Sequence, residues 1–192
     1  MHAFVREIRR LCKQLADLLG TTDRLVGAKG WEVATPQNVA FAGTSQTLDK
    51  PYQWFPNELF RFYGNEAYPQ VLAFVSILLD DDRLGEYPVA VTQPLLTGGW
   101  FEFADEVPKL TGIHWWSRFH GYMIDRRDDG SLHRLEPKVS WREDPPHWYP
   151  FERVATFGIA LAEISNAAAL ETHMIGPLLA HLREVYPART SR

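Results

Sequence analysis

Cysteine is almost absent from this chain, since Cys12 is the only one among 192 residues. A single cysteine excludes a disulfide framework within the chain and a zinc site built from several cysteines. The opening segment MHAFVREIRRLCKQLADLLG carries charges every few positions, unlike a signal peptide. No stretch of about 18 apolar residues is present that could cross a bilayer. These absences predict a protein of the reducing cytoplasm that does not associate with a membrane.

An excess of positive charge is also missing. The chain has 20 Lys and Arg against 24 Asp and Glu, which gives a net charge of −4. Proteins that bind DNA or RNA usually carry a basic stripe, because neutralising phosphates supplies much of their affinity. The charge balance therefore argues against a nucleic-acid partner.

Familiar catalytic motifs are absent from the sequence. There is no H-E-x-x-H zinc helix, no G-x-S-x-G elbow, no phosphate-binding P-loop and no G-x-G-x-x-G. We therefore predict no cofactor and no metal. A Ser/His/Asp triad is defined by its geometry and not by its order in the chain, so whether the protein is an enzyme stays open.

The residues that are present indicate one globular domain over residues 1–192. Hydrophobic residues make up 45% and charged residues 23%, which is close to the average for folded domains. Aromatic residues are frequent at 13%, including seven Trp. Large flat side chains suit both thick cores and recognition surfaces.

Hydrophobic periodicity predicts an α+β fold. The predicted helices are an N-terminal helix over about 2–19 that Gly20 ends, a short aromatic helix opened by residues 56–58 and ended by Gly64, and a C-terminal pair over 151–186 broken at Gly176-Pro177. The predicted strands are 31–35, 38–43, 71–79, 88–93, 99–104, 113–125 and 131–136, with Gly98-Gly99 as a turn. These strands follow one another without helical crossovers. We therefore expect a mainly antiparallel sheet of six to seven strands, with the N-terminal helix and the C-terminal helix pair packed on one face.

Residues 113–125 are the strongest candidate in the sequence for a binding surface. Alternation along a strand gives this segment one apolar face. The other face would carry His114, Trp116, Arg118, His120 and Tyr122. His114 and His120 would lie about 20 Å apart along the strand, too far to share a metal ion. A strip of this kind could stack on a flat ligand or a peptide, with Trp54 and Trp141 at its rim, although it is also typical of a solvated sheet face.

A weaker candidate is a metal-dependent hydrolase or nuclease site. Glu136-Pro137-Lys138 follows Asp125 and Asp128 across a predicted hairpin. Two carboxylates that hold Mg²⁺ and a lysine that stabilises the charged transition state would suit that chemistry. Pro137 is a poor residue for a central strand, and so short a motif arises easily by chance.

The sequence thus leaves three functional hypotheses. The first is a non-catalytic module that binds a protein or a small molecule through an aromatic-rich sheet surface, using Trp116, Arg118, His120 and Tyr122. The second is the hydrolase or nuclease with Asp125 or Asp128, Glu136 and Lys138. The third is a structural subunit whose exposed aromatic residues form a homodimer interface.

Overall fold

The computed structural model describes residues 2–34, 39–42, 49, 55–56, 58–79, 93–107, 142–143 and 151–186. These residues form an α+β fold with one antiparallel sheet. In the chain, an N-terminal helix precedes the sheet and a C-terminal helical segment follows it. The strands are β1 (Glu32–Val33), β2 (Ala40–Ala42), β3 (Glu58–Gly64), β4 (Val71–Leu78), β5 (Leu95–Phe103), β6 (Arg142–Glu143) and β7 (Phe151–Ala160). The helices are α1 (His2–Gly27), α2 (Ala167–Leu170) and α3 (Gly176–Val185). A π-helical turn, Glu171–Ile175, joins α2 to α3, and a 3₁₀ turn, Leu161–Glu163, follows β7.

The sheet has the order β1-β3-β4-β5-β7-β6, and every described pairing is antiparallel. β2 pairs with β3 on the same edge as β1, so these two short strands lie end to end. β6 pairs over only two residues. Five strand positions therefore account for nearly all of the described sheet, and the predicted six to seven is slightly too high.

Two segments that we predicted to be helical are strands. β3 replaces the short aromatic helix, and β7 replaces the first part of the C-terminal helix pair. Residues 58–63 of β3 and 154–160 of β7 are all buried, so apolar side chains follow one another without the alternation of a half-buried strand. Spacing such as Val154, Phe157 and Leu161 then imitates a helical stripe by chance.

The glycines we predicted as breaks mostly lie inside regular elements. Gly98 and Gly99 are in the middle of β5, and α1 continues past Gly20 to Gly27. At Gly176-Pro177 the π-helical turn leads directly into α3, so neither residue ends the helical run. The part of the predicted C-terminal pair that is helical, residues 167–185, is therefore one continuous run. The predicted strand over 71–79 is confirmed by β4, which is buried on both faces.

The main core lies on one side of the sheet, here called the helix face. Leu15, Leu19 and Val26 of α1 pack there together with Met174, Leu178 and Leu182 of the C-terminal run. On the sheet this face carries Leu59, Arg61, Tyr63, Ala73, Val75, Ile77, Leu96, Trp100, Phe157 and Ile159. The side chains of the opposite face are buried too, which explains why the sequence of these strands is almost continuously apolar.

Candidate ligand-binding site

Four polar side chains cross the opposite face of the sheet in a diagonal line, here called the polar diagonal. They are Glu58 of β3, Ser76 of β4, Thr97 of β5 and Thr156 of β7. The strand register places Ser76 directly beside Thr97, while Glu58 and Thr156 lie one row away on either side. Glu58, Ser76 and Thr97 are 0% exposed and Thr156 is 6% exposed. One carboxylate and three hydroxyl groups are thus removed from solvent together.

Hydrogen bonds connect part of this diagonal. The Ser76 hydroxyl donates to Oε1 of Glu58. The Thr97 hydroxyl lies 3.5 Å from the carbonyl oxygen of Ser76, at the outer limit for a hydrogen bond. The Thr156 hydroxyl is buried and has no hydrogen-bond partner among the described residues. The diagonal therefore ends in a polar group whose bonding capacity these residues leave unused.

Aromatic rings surround the polar diagonal. Phe60, Phe62, Phe74 and Phe101 lie on the same face and form a chain of ring contacts, with centroids 5.9 Å, 6.5 Å and 5.2 Å apart in that order. Apolar walls with a few convergent polar groups are characteristic of small-molecule sites. Along the described strands this face has no histidine, lysine or cysteine beside the polar diagonal.

A second polar cluster, on the helix face, fastens α1 to the sheet. Arg61 of β3 donates to both carboxylate oxygens of Asp23 in α1, with N···O distances of 3.1 Å and 2.5 Å. The Tyr63 hydroxyl donates to the same carboxylate at 2.9 Å. Burial works to lower the pKa of Arg61, but the hydrogen bond and the charge of Asp23 outweigh it and raise that pKa. The guanidinium therefore stays charged inside the core, and the cluster is structural.

Tyr63 makes this cluster sensitive to alkaline pH. Burial first, and then the charge and the hydrogen bond of Asp23, raise the pKa of Tyr63 well above 10. Because the folded pKa exceeds the unfolded one, the stabilisation is complete below about pH 10 and falls by about 1.4 kcal/mol per pH unit above it. We expect Tyr63→Phe to be about 1 kcal/mol less stable than the parent at neutral pH, from the lost hydrogen bond. Urea unfolding between pH 8 and 11.5 should show this deficit shrinking above pH 10.

Tyr68→Phe is the matched variant, since it removes a half-buried tyrosine hydroxyl outside this cluster. A Tyr63→Phe deficit that stays constant up to pH 11.5 would contradict the prediction.

A cluster of aromatic rings closes one end of the helix face. Trp31 stacks on Tyr68 at 5.9 Å, and Tyr186 contacts both Tyr68 and Trp100, at 6.0 Å and 5.6 Å. The guanidinium of Arg153 lies 5.2 Å from the ring centre of Trp100. Trp31 and Trp100 are almost completely buried. These rings join the C-terminal run to the sheet and belong to the core.

The ten site residues that we predicted from the sequence lie outside the described residues. They are Trp54, Trp116, Arg118, His120, Tyr122, Asp125, Asp128, Glu136, Lys138 and Trp141. Both predicted sites therefore stay predictions. Within the described ranges, no group of three or more His, Cys, Asp and Glu side chains could hold a metal ion.

The polar diagonal was missed in our reading of the sequence. Ser76 gave the one available signal, because it is a lone polar residue in the apolar run VLAFVSILL. The sequence patterns predicted helices at Glu58 and Thr156 and a connection between two strands at Thr97. Only the strand register brings the four together, since they are separated by up to 98 positions in the chain.

Among the described residues, no helix is both long and apolar enough to pass through a membrane. Comparison of the chain with protein-family models, with curated proteins and with solved structures found no match.

Proposed function

We propose that the protein is a non-catalytic module that binds a small molecule at the aromatic-rich opposite face of its sheet, in contact with the polar diagonal. The observation that carries this proposal is the buried Thr156 hydroxyl, which has no hydrogen-bond partner among the described residues. The proposal keeps the general function expected from the sequence, an aromatic sheet surface that binds a ligand. It places that surface on β3, β4, β5 and β7 and adds no claim about residues 113–125.

The energetic argument starts from the cost of burying polar groups. A hydroxyl that gives up water without gaining a partner destabilises the fold by about 1–3 kcal/mol. Thr156 pairs with Gly99 on β5 and with Arg142 on β6, and valine at this position would have nearly the same shape without a buried hydroxyl. A ligand that hydrogen-bonds to this hydroxyl would recover the lost interaction. A role in ligand binding would therefore explain why a threonine occupies this buried position.

The lining indicates the class of ligand. Phe60, Phe74 and Phe101 place aromatic rings on the same face, each 1% exposed or less. Glu58 supplies a carboxylate that accepts hydrogen bonds, and the hydroxyls of Thr97 and Thr156 can donate or accept. These groups suit a small, mainly apolar or aromatic molecule that carries a hydroxyl or an amine. The reducing cytoplasm remains the proposed compartment.

Thr156→Val tests the proposal directly. We expect this nearly isosteric variant to raise the free energy of unfolding by about 1 kcal/mol in the ligand-free protein, because it removes a buried hydroxyl without a partner. At the same time it should abolish most of the stabilisation by the ligand. A ligand at 100 times its Kd stabilises the parent by about 2.7 kcal/mol, which is a shift of about 5–10 °C in the melting midpoint of a domain of this size.

The measurement pairs native mass spectrometry of the purified protein with a thermal-shift screen of small hydroxylated and amine-bearing aromatic compounds. Thr22→Val is the control: Thr22 is equally buried, but its hydroxyl donates to the Leu18 carbonyl at 3.0 Å and it belongs to α1. It should lose about 1 kcal/mol of stability and keep the full ligand response. A ligand response that survives in Thr156→Val, or a Thr156→Val protein less stable than the parent, would disprove the proposal.

A further inference from the structure

Helix α1 has two halves with different surroundings. Its apolar stripe continues from Phe4 through Ile8 and Leu11 to Leu15 and Leu19 at helical spacing. Leu15 and Leu19 are buried in the core at 5% and 3% exposure. Phe4 is 68% exposed and Leu11 is 38% exposed. In the first half of α1 the same stripe is presented to solvent at Phe4 and Leu11, while Ile8 between them is half-buried.

Charge distinguishes the first half of α1 from the rest of the chain. Residues 2–13 contain four basic side chains, Arg6, Arg9, Arg10 and Lys13, and one acidic side chain, Glu7. The whole chain has a net charge of −4. At 100° per residue the basic side chains fall on the side of α1 that faces away from Phe4, Ile8 and Leu11. A helix with an apolar stripe on one side and basic residues on the other matches the pattern of helices that lie in the surface of a bilayer.

The area and the charge of this surface disfavour a second copy of the chain. A stable protein interface buries about 800 Å² on each partner, which the few exposed side chains of three helical turns do not supply. Two such helices side by side would also bring two sets of basic residues together. An anionic bilayer neutralises those charges instead, and it needs only a few apolar side chains inserted at the headgroup boundary.

We propose that residues 2–13 of α1 dock on the surface of a bilayer that contains anionic phospholipid. Phe4, Ile8 and Leu11 insert at the boundary between headgroups and acyl chains, and the basic side chains contact the lipid phosphates. The sheet covers the same side of α1 from Leu15 onward, so only the N-terminal part of the helix enters the interface, and the helix does not span the bilayer. The sequence predicted no association with a membrane because it has no signal peptide and no run of about 18 apolar residues. Among the described residues, the packing of this stripe in the core begins at Leu15.

Co-sedimentation with sonicated vesicles tests the proposal. We expect the full chain to bind vesicles of phosphatidylcholine with 30% phosphatidylserine and to bind pure phosphatidylcholine at least tenfold more weakly. Each Lys or Arg near an anionic surface strengthens binding about fivefold, so Arg9→Ala with Arg10→Ala should weaken it about 30-fold. Phe4→Ser with Leu11→Ser should weaken it about tenfold or more. Raising the salt to about 0.5 M should release the parent protein.

Two variants serve as matched controls, because they change the same residue types elsewhere. Phe55 has the same exposed fraction as Leu11, 38%, and lies far from α1 in the sequence. Arg183 is an exposed arginine of α3. Phe55→Ser and Arg183→Ala should both leave vesicle binding unchanged. Circular dichroism of each variant should match the parent, since the exposed side chains contribute little to the core.

The exposed Cys12 offers a second readout on the same helix. An environment-sensitive fluorophore on this single thiol should shift its emission to the blue when anionic vesicles are added. Equal binding of pure phosphatidylcholine, binding unaffected by Phe4→Ser with Leu11→Ser, or no binding at all would each overturn the proposal. A dimer in light scattering at micromolar concentration that Phe4→Ser dissolves would assign the surface to a second copy instead. Failure here leaves the ligand site untouched, since the two rest on different residues.

Discussion

Asp23→Ala should destabilise the protein by about 3 kcal/mol or more. Arg61, whose side chain is 6% exposed, forms a described ion pair with Asp23, and removing that carboxylate takes a neighbouring negative charge away from a buried guanidinium. Breaking one side of a buried pair typically costs about 3–5 kcal/mol. The lower end applies because the Asp23 side chain is 25% exposed and water can reach the vacated site. Urea unfolding followed by tryptophan fluorescence measures the loss.

The double variant Asp23→Leu with Arg61→Met tests whether the loss of stability comes from an unbalanced buried charge or from lost packing. Replacing both charges with apolar side chains of similar size should recover most of the stability, since the pair itself contributes little net free energy. Asp17→Ala is the exposed control: Asp17 pairs with Lys13 at 2.7 Å, but both side chains are mostly in solvent. We expect it to cost less than about 0.5 kcal/mol. An equal loss in the free energy of unfolding for Asp17→Ala and Asp23→Ala would show that the burial of Arg61 does not cause the large destabilisation expected for Asp23→Ala.

Gly99→Ala should cost about 3 kcal/mol or more, although it adds a single methyl group. The new Cβ would lie 2.1 Å from the carbonyl oxygen of Ala155 on β7 and 2.6 Å from the ring of Phe74. A backbone atom cannot move aside without separating β5 from β7, so the sheet would be distorted at its centre. Overpacking of this kind usually costs 1–3 kcal/mol, and a backbone clash lies at the upper end.

Two other glycines form a graded control series. At Gly98, on the helix face of the same strand, a Cβ would meet Met174 Sδ at 2.5 Å, and this flexible side chain can shift. Gly64 has nothing within 4 Å of a new Cβ. We expect the loss of stability to fall from Gly99→Ala to Gly98→Ala, with Gly64→Ala close to neutral. A Gly99→Ala protein as stable as Gly64→Ala would contradict the described packing of β5 on β7.

Local sequence predicted some elements well and others badly, for identifiable reasons. The apolar run VLAFVSILL indicated a strand buried on both faces, and β4 has that burial. The same physical situation misled us at β3 and β7, where burial on both faces removed the alternation that marks a strand. Aromatic and β-branched residues in these segments favour strands, and this composition was the better guide. Glycine was given too much weight as a break, because its cost of about 1 kcal/mol inside a regular element is readily offset by packing.

The polar diagonal shows why a site of this kind is hard to predict. Its members are single polar residues in four different apolar segments, and each alone is compatible with ordinary packing. The sites predicted from the sequence, by contrast, each draw on several polar residues within a short stretch, residues 113–125 and 136–138. Contacts between strands depend on register, and register is set by the whole sheet.

The sequence by itself determined the α+β composition, the amphipathic N-terminal helix, the buried β4 strand and the shortage of basic residues and catalytic motifs. These follow from residue type and local spacing, which tertiary contacts do not alter. Tertiary structure alone decided that β3 and β7 are strands, that Glu58, Ser76, Thr97 and Thr156 meet on one face, and that α1 packs only along its second half. Each of these depends on which distant segment supplies the neighbouring surface. Burial and pairing across the sheet outweigh local preferences of about 1 kcal/mol per residue or less. Contacts with distant segments therefore decide which of the locally permitted secondary structures a segment adopts.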